Sequence, residues 1–259
     1  MATTLPSLTD EPTLYPGCCF SLSWPLLATV HTLLLQSISI IPSTSNSISS
    51  PTADLQRKKE VGSGDDDDDD ERSLVLSIGS GTGLLEELLH RYLNSGVRDR
   101  GDEISSSSAT TSPPPTTTAT TATPTGAADG SSGAGGCWRV EGVEVNHTVN
   151  LHLPEHRINH VSGTWAILES RARTASVLMF VYPRDGALVR RYIDAFMMRE
   201  GGRVQLVFWL GPKCDWEETG FGSVGAGAAA KEELEITEIR SGGGLAEFEM
   251  LAAVRRKTA

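Results

Sequence analysis

Aromatic residues, cysteines and positive charge are all scarce in this chain. Only 6% of its 259 residues are aromatic, and its four cysteines, Cys18, Cys19, Cys137 and Cys214, include no Cys-x-x-Cys pair. Adjacent thiols such as Cys18 and Cys19 neither bridge each other nor clasp a zinc ion, so the sequence predicts no disulfide framework and no metal centre, and a reducing compartment. No Lys or Arg precedes Arg57. That leaves neither the positive start of a secretory signal nor the arginines of a transit peptide, so a cytoplasmic location is expected, with the nucleus as alternative. The apolar stretch from Trp24 to Ile41 approaches the length of a membrane span, but Thr29, His31, Thr32, Gln36, Ser37 and Ser39 interrupt it and no basic flank anchors it. With no export signal, the sequon Asn146-His147-Thr148 reads as a chance match.

The charge balance is 22 basic against 33 acidic side chains, a net of −11. Seven of the negatives stand in one run, Asp65 to Glu71, and the rest of the chain carries only −4. A mildly acidic body has no general attraction for nucleic acid or for an anionic membrane, so neither is expected as a partner. The run itself reads as a solvated spacer, since like charges in sequence repel and extend the chain.

Two stretches hold too few large apolar side chains to offset the entropy of ordering: 43–73, Ser/Thr-rich and then acidic, and 97–136, a run of Ser, Thr, Pro, Gly and Ala. Both are expected to be disordered. A strand and helix beginning at Leu74 lie between them and cannot bury their own faces, so they must pack on the block that begins at Cys137. The stretch 97–136 is therefore an insertion within one domain. The expected organisation is a tail over 1–22, a leading helix over 23–42 packing on the core, the acidic segment 43–73, and one domain over 74–257 interrupted by that insertion.

Within the domain, strands and helices alternate. Leu74 to Ile78 has the unbroken apolarity of a buried parallel strand, and Leu84, Leu85, Leu88, Leu89 and Tyr92 follow at helical spacing. Further strands are expected at Trp138–Val145, Ile158–Val161, Ala175–Val181 and Arg203–Leu210, with a helix marked by Leu188, Val189, Tyr192, Ile193 and Phe196. Glu233–Ile239 and Ala246–Val254, joined across Gly242-Gly243-Gly244, read as an antiparallel hairpin.

The most specific feature is Ser77-Ile78-Gly79-Ser80-Gly81-Thr82-Gly83, a strand end running through Gly-x-Gly-x-Gly into a helix. Glycines there permit a tight turn and let backbone approach a nucleotide-like ligand. Leu84 stands where a dinucleotide fingerprint needs its closing small residue, and no Gly-Lys-Ser/Thr follows to make a phosphate loop. The segment resembles motif I of class I S-adenosylmethionine-dependent methyltransferases. The resemblance implies an α/β fold, a single doubly wound seven-stranded and mainly parallel sheet closed by a C-terminal antiparallel hairpin.

It also implies S-adenosylmethionine as cofactor, held by Ser77, Gly79, Ser80, Gly81, Thr82 and Gly83, and an acidic residue ending the second strand to hold the ribose hydroxyls. Glu144 fits that place: it lies 61 residues beyond Gly83, and removing the 40-residue insertion leaves 21, close to the roughly 20 expected. Glu141 is the competitor, three residues earlier and mid-strand. After the third strand, Thr164 could supply a hydroxyl and Trp165 could stack on the adenine or serve as core. The fourth strand ends in Tyr182-Pro183-Arg184-Asp185, not the family's Asn/Asp-Pro-Pro-Tyr, so substrate class is not inherited. Tyr182, Asp185 and Asp215 are the candidate catalytic groups, because they follow the fourth and fifth strands where an open parallel sheet places its site.

The function expected is methyl transfer to an unknown small molecule or protein, by a monomer. The alternative is a degenerate, non-catalytic methyltransferase-like domain serving cofactor binding or protein interaction. An NAD-dependent oxidoreductase fits less well, for want of the closing glycine and of a Tyr-x-x-x-Lys pair. His152, His156 and His160 recur every fourth residue, but Pro154 breaks the helix that would align them as metal ligands.

Overall fold

A parallel strand buried on both faces needs apolar side chains at every position, and its alternate residues must feed two separate cores. The computed structural model, which describes residues 4–38, 73–95, 138–219 and 233–257, is built in this way. Its elements are α1 (Trp24–Ile38), β1 (Ser73–Ile78), α2 (Leu84–Asn94), β2 (Trp138–Glu144), β3 (Ile158–His160), α3 (Glu169–Thr174), β4 (Val177–Val181), α4 (Gly186–Phe196), β5 (Leu206–Pro212), α5 (Trp216–Thr219), β6 (Leu234–Ile239) and β7 (Glu249–Arg256). The acidic segment expected over 43–73, apart from Ser73, and the insertion expected over 97–136 lie outside the described residues, as does Cys137.

The seven strands form one sheet in the order β3-β2-β1-β4-β5-β7-β6. β1 to β5 run parallel, and β7 lies antiparallel between β5 and β6. Val75, Val177, Met179, Leu206, Phe208, Leu251 and Ala253 face α1 and α2, while Leu74, Leu76, Leu178, Phe180, Val207, Trp209 and Met250 face α3, α4 and α5. The sheet is thus doubly wound, mainly parallel and closed by the antiparallel hairpin, as expected. Strand order reverses between β1 and β4, and an open sheet of this kind leaves a crevice beyond the carboxyl ends of its strands at that point.

The tail expected over 1–22 is, over its described residues 4–22, packed on the core. Leu8, Phe20 and Leu22 are buried in the same core as α1, Thr13 and Leu22 exchange backbone hydrogen bonds, and the Trp24 N–H reaches the Thr9 carbonyl. Burying three large apolar side chains, together with these backbone hydrogen bonds, offsets part of the cost of ordering this stretch. α1 packs against α2, with Trp24 and His31 both against the Tyr92 ring.

Two carboxylates inside the fold are satisfied by arginines. Glu141, 1% exposed, pairs with Arg139 at 2.6 Å and with Arg171, whose Nε donates at 2.8 Å, and Asn159 adds a further donor at 2.9 Å. Glu87 is paired with Arg157 and with Arg91 at 2.8 Å.

Candidate functional site

Beyond the carboxyl ends of β1, β2, β4 and β5 the crevice is a pocket of about 650 Å³. Its size is that of a small-molecule site. Ile78, Gly79 and Gly81 line it from the β1 turn, Val143, Glu144 and Val145 from β2, Gly163, Thr164 and Ala166 from the loop after β3, and Tyr182 to Asp185 from the end of β4. Asp215 and Cys19 complete the wall.

The β1 turn is possible because all three of its glycines have left-handed backbones, with φ of 80°, 57° and 76° at Gly79, Gly81 and Gly83. The turn is pinned by the Gly79 N–H to the Val143 carbonyl at 3.0 Å. Glu144 ends β2 beside it, and its Oε1 accepts the Gly81 N–H while Oε2 accepts the Val145 N–H at 3.3 Å. A half-buried carboxylate therefore meets the glycine turn inside the pocket, whereas Glu141 is spent in its arginine pairs.

The remaining loop residues point elsewhere. Ser77 is buried and its hydroxyl donates to Glu86 Oε1 at 2.6 Å. Ser80 packs against Gly142, Thr82 against Gly17, and Gly83 against Asn150 and Leu153. These four support the turn from behind and do not line the pocket. Thr164 does line it, but Trp165 does not: its indole is 66% exposed and folds over Gly163.

At the other end of the pocket, Tyr182 has a φ of 49°, the one non-glycine residue with a left-handed backbone among the described residues. Such strain at a strand end in a pocket often accompanies function. Its hydroxyl donates to Glu249 Oε1 at 3.3 Å, so the phenol offers the pocket its lone pairs. Burial first, and then the Glu249 charge, raise the Tyr182 pKa, which keeps the phenol protonated at neutral pH. Asp185 caps α4, accepting the Ala187 N–H at 2.8 Å, and Asp215 accepts the Cys214 thiol at 3.3 Å. That hydrogen bond raises the Cys214 pKa. The three candidates share one end of the pocket, yet each side chain already has a partner.

Sequence reasoning did not single out Cys19, Glu86 or Glu249. Glu249 was detectable, because strand alternation puts it on the inward face with Leu251 and Ala253. Glu86 and Glu87 interrupt four leucines at the start of α2 and fall off their stripe at helical spacing, so their burial follows from the tertiary partners Ser77 and Arg157 and not from periodicity. Glu86 is 1% exposed and its Oε2 has no partner, and burial pushes its pKa up to about 7. Cys19 carries no sequence signal, since its place depends on how the N-terminal segment docks.

Of the three histidines, His156 stands in a 3₁₀ turn, His160 in β3 and His152 in the preceding loop, on no common helix. The His160 ring instead packs at a tilt of 40° against His147, with centroids 3.8 Å apart. Among the described residues no helix is long and apolar enough to cross a membrane.

No family model matches the chain, and no curated protein matches it. Among solved structures it is similar to the human methyltransferase 10 domain containing protein, with a TM-score of 0.40 and 12% identity over 91% of this chain and 83% of that one. Ribosomal protein L11 methylase from Lactobacillus delbrueckii subsp. bulgaricus gives a TM-score of 0.35 and 11% identity over 72% of this chain and 71% of that one. The plantazolicin methyltransferase BpumL, solved in complex with SAH, gives 0.38 and 9% over 71% and 76%.

Proposed function

We propose that this chain is an S-adenosylmethionine-dependent methyltransferase whose acceptor is a small molecule or a protein side chain. The observation behind the reading is Glu144 at the end of β2, within hydrogen-bond reach of the glycine turn and inside a pocket at the point where strand order reverses. In it, Gly79 and Gly81 cradle the cofactor, the Glu144 carboxylate takes the ribose hydroxyls, and Thr164 lies near the base. The cofactor, when bound, supplies an electrophilic methyl group, so the protein has mainly to align it with the acceptor and exclude water.

Tyr182 serves as a positioned hydrogen-bond acceptor, suited to an acceptor group that donates an N–H or O–H. Asp185 and Asp215 are the other candidate catalytic groups. Their existing partners support the alternative of a non-catalytic domain that binds cofactor, since neither carboxylate is held ready as a base.

Calorimetric titration with S-adenosylhomocysteine and with NADH separates these readings. The methyltransferase proposal expects binding of the first alone. Binding of neither would leave an interaction domain, and binding of NADH would point to an oxidoreductase. Turnover of labelled S-adenosylmethionine in cell extract then distinguishes an enzyme from a binding domain.

A further inference from the structure

Glu249 opens β7 and is fully buried. Its Oε1 accepts the Ser21 backbone N–H at 3.0 Å as well as the Tyr182 hydroxyl, and its Oε2 accepts the Ala246 N–H at 3.4 Å. Three segments distant in sequence, the N-terminal stretch, the end of β4 and the turn before β7, thus converge on one carboxylate. A buried carboxylate tolerates burial only with such donors, and each donor is in turn fixed by it.

The N-terminal stretch reaches this corner at close quarters. Gly17 has a φ of +74°, and a Cβ there would lie 2.6 Å from Thr82 Cγ2, so the stretch sits directly on the glycine turn. Cys18 follows, half-buried, then Cys19 in the pocket wall, then Phe20, whose ring meets Tyr182 edge-on at 6.0 Å.

We propose that Glu249 is the positioning residue of the acceptor end, holding Tyr182 and the Gly17–Ser21 stretch in one arrangement so that Cys19 and Tyr182 form a single wall. Calling this the acceptor end rests on the methyltransferase reading; the arrangement itself does not.

The test is iodoacetamide labelling of the full chain, read cysteine by cysteine by mass spectrometry. Cys18 reports docking of the stretch, because burial pushes its pKa up to about 12 and slows its reaction, while exposed Cys214 is the internal control. Glu249→Ala should speed Cys18 labelling by about 5- to 150-fold, as expected for losing a buried acceptor, with Cys214 unchanged and a single melting transition retained. Glu249→Gln keeps an oxygen for Ser21 and Tyr182 and should stay within about 3-fold of the original chain. An unchanged Cys18 rate in folded Glu249→Ala overturns the proposal.

Should that variant fail to fold, Ser21→Pro removes the donor N–H, while also fixing φ there and restricting Phe20, and an unchanged Cys18 rate in it is equally fatal. A second readout separates positioning from general loosening. Saturating S-adenosylhomocysteine should slow Cys19 labelling in the original chain. In Glu249→Ala that protection should be lost while S-adenosylhomocysteine affinity stays within about 3-fold; intact protection overturns the proposal. If the original chain binds no S-adenosylhomocysteine, the methyltransferase reading fails, and the Cys18 rates still decide the role of Glu249.

Discussion

The two ends of the pocket are built differently. The end formed by β1 and β2 is built from two neighbouring strands in direct register: one glycine turn, and one carboxylate that ends the next strand, 63 positions from Gly81. The end formed by Tyr182, Asp215, Glu249 and Cys19 draws on segments up to 228 positions apart. A short motif can specify the first, because its geometry is set by backbone conformation. The second exists only once the fold is complete: strand ends mark Tyr182 and Asp215 one at a time, but no single segment shows that Glu249 and Cys19 join them.

The sharpest way to break this contrast is Gly81→Val. The φ of +57° at Gly81 excludes a β-branched side chain, and the added Cβ would sit 3.8 Å from the Gly17 carbonyl, at the pocket wall. Binding of S-adenosylhomocysteine by calorimetry should be lost entirely. Retained affinity would show that the turn does not cradle the cofactor.

Glu141 and Glu144 separate stability from binding. Glu141→Ala leaves Arg139 and Arg171 beside an emptied site, and breaking such a buried pair costs about 3 to 5 kcal/mol, read as a fall in melting temperature. Its effect on S-adenosylhomocysteine affinity should be small. Glu144→Ala should do the opposite, weakening affinity by about 10- to 150-fold through lost charge-assisted hydrogen bonds, with little change in melting. Should Glu141→Ala be the variant that loses affinity, the ribose carboxylate has been assigned to the wrong register of β2.

That register shows how far the sequence could be read. The strands, the hairpin and the doubly wound sheet follow from apolar runs and alternation, and the place of Glu144 follows from removing the insertion from the count. Ser77, Ser80, Thr82 and Gly83 share the motif yet line no part of the pocket, because alternation along β1 and the turn's own packing send the three side chains behind it and set Gly83 against Asn150 and Leu153. The N-terminal stretch was the largest omission. Its three buried residues, Leu8, Phe20 and Leu22, are scattered among Pro, Ser, Thr and Gly with no helical or strand period, so only tertiary packing reveals them. α3 and α5, short and without strong periodicity, were missed for the same reason.

Glu86 gives a pH-dependent prediction for the end at the glycine turn. Its folded pKa of about 7 lies above the ordinary 4.5, so the folded state holds a proton that the unfolded state has released between those values. Stability from this group is therefore fully present below about pH 4.5 and is lost as pH rises through about 7. Glu86→Gln should flatten the melting temperature across that window and raise it at pH 8. A slope unchanged by the substitution would mean that another group titrates there.

The smallest effect is expected at Trp165. Its large ring beside the pocket would suit stacking on a base if the proposed cofactor binds there, an interaction worth about 1 to 3 kcal/mol where it forms. The indole, however, lies over Gly163, where an added Cβ would meet its ring at 2.5 Å, and its own carbonyl is held by Arg191 Nη1 at 2.8 Å. Gly163, Thr164 and Ala166 form the wall at this loop in its place. With two-thirds of the side chain exposed, Trp165→Ala removes little buried area and should leave both melting temperature and S-adenosylhomocysteine affinity nearly unchanged, within about 2-fold for affinity. A loss of about tenfold or more would show that the indole swings onto the ligand, extending the cofactor end to a residue placed outside it here.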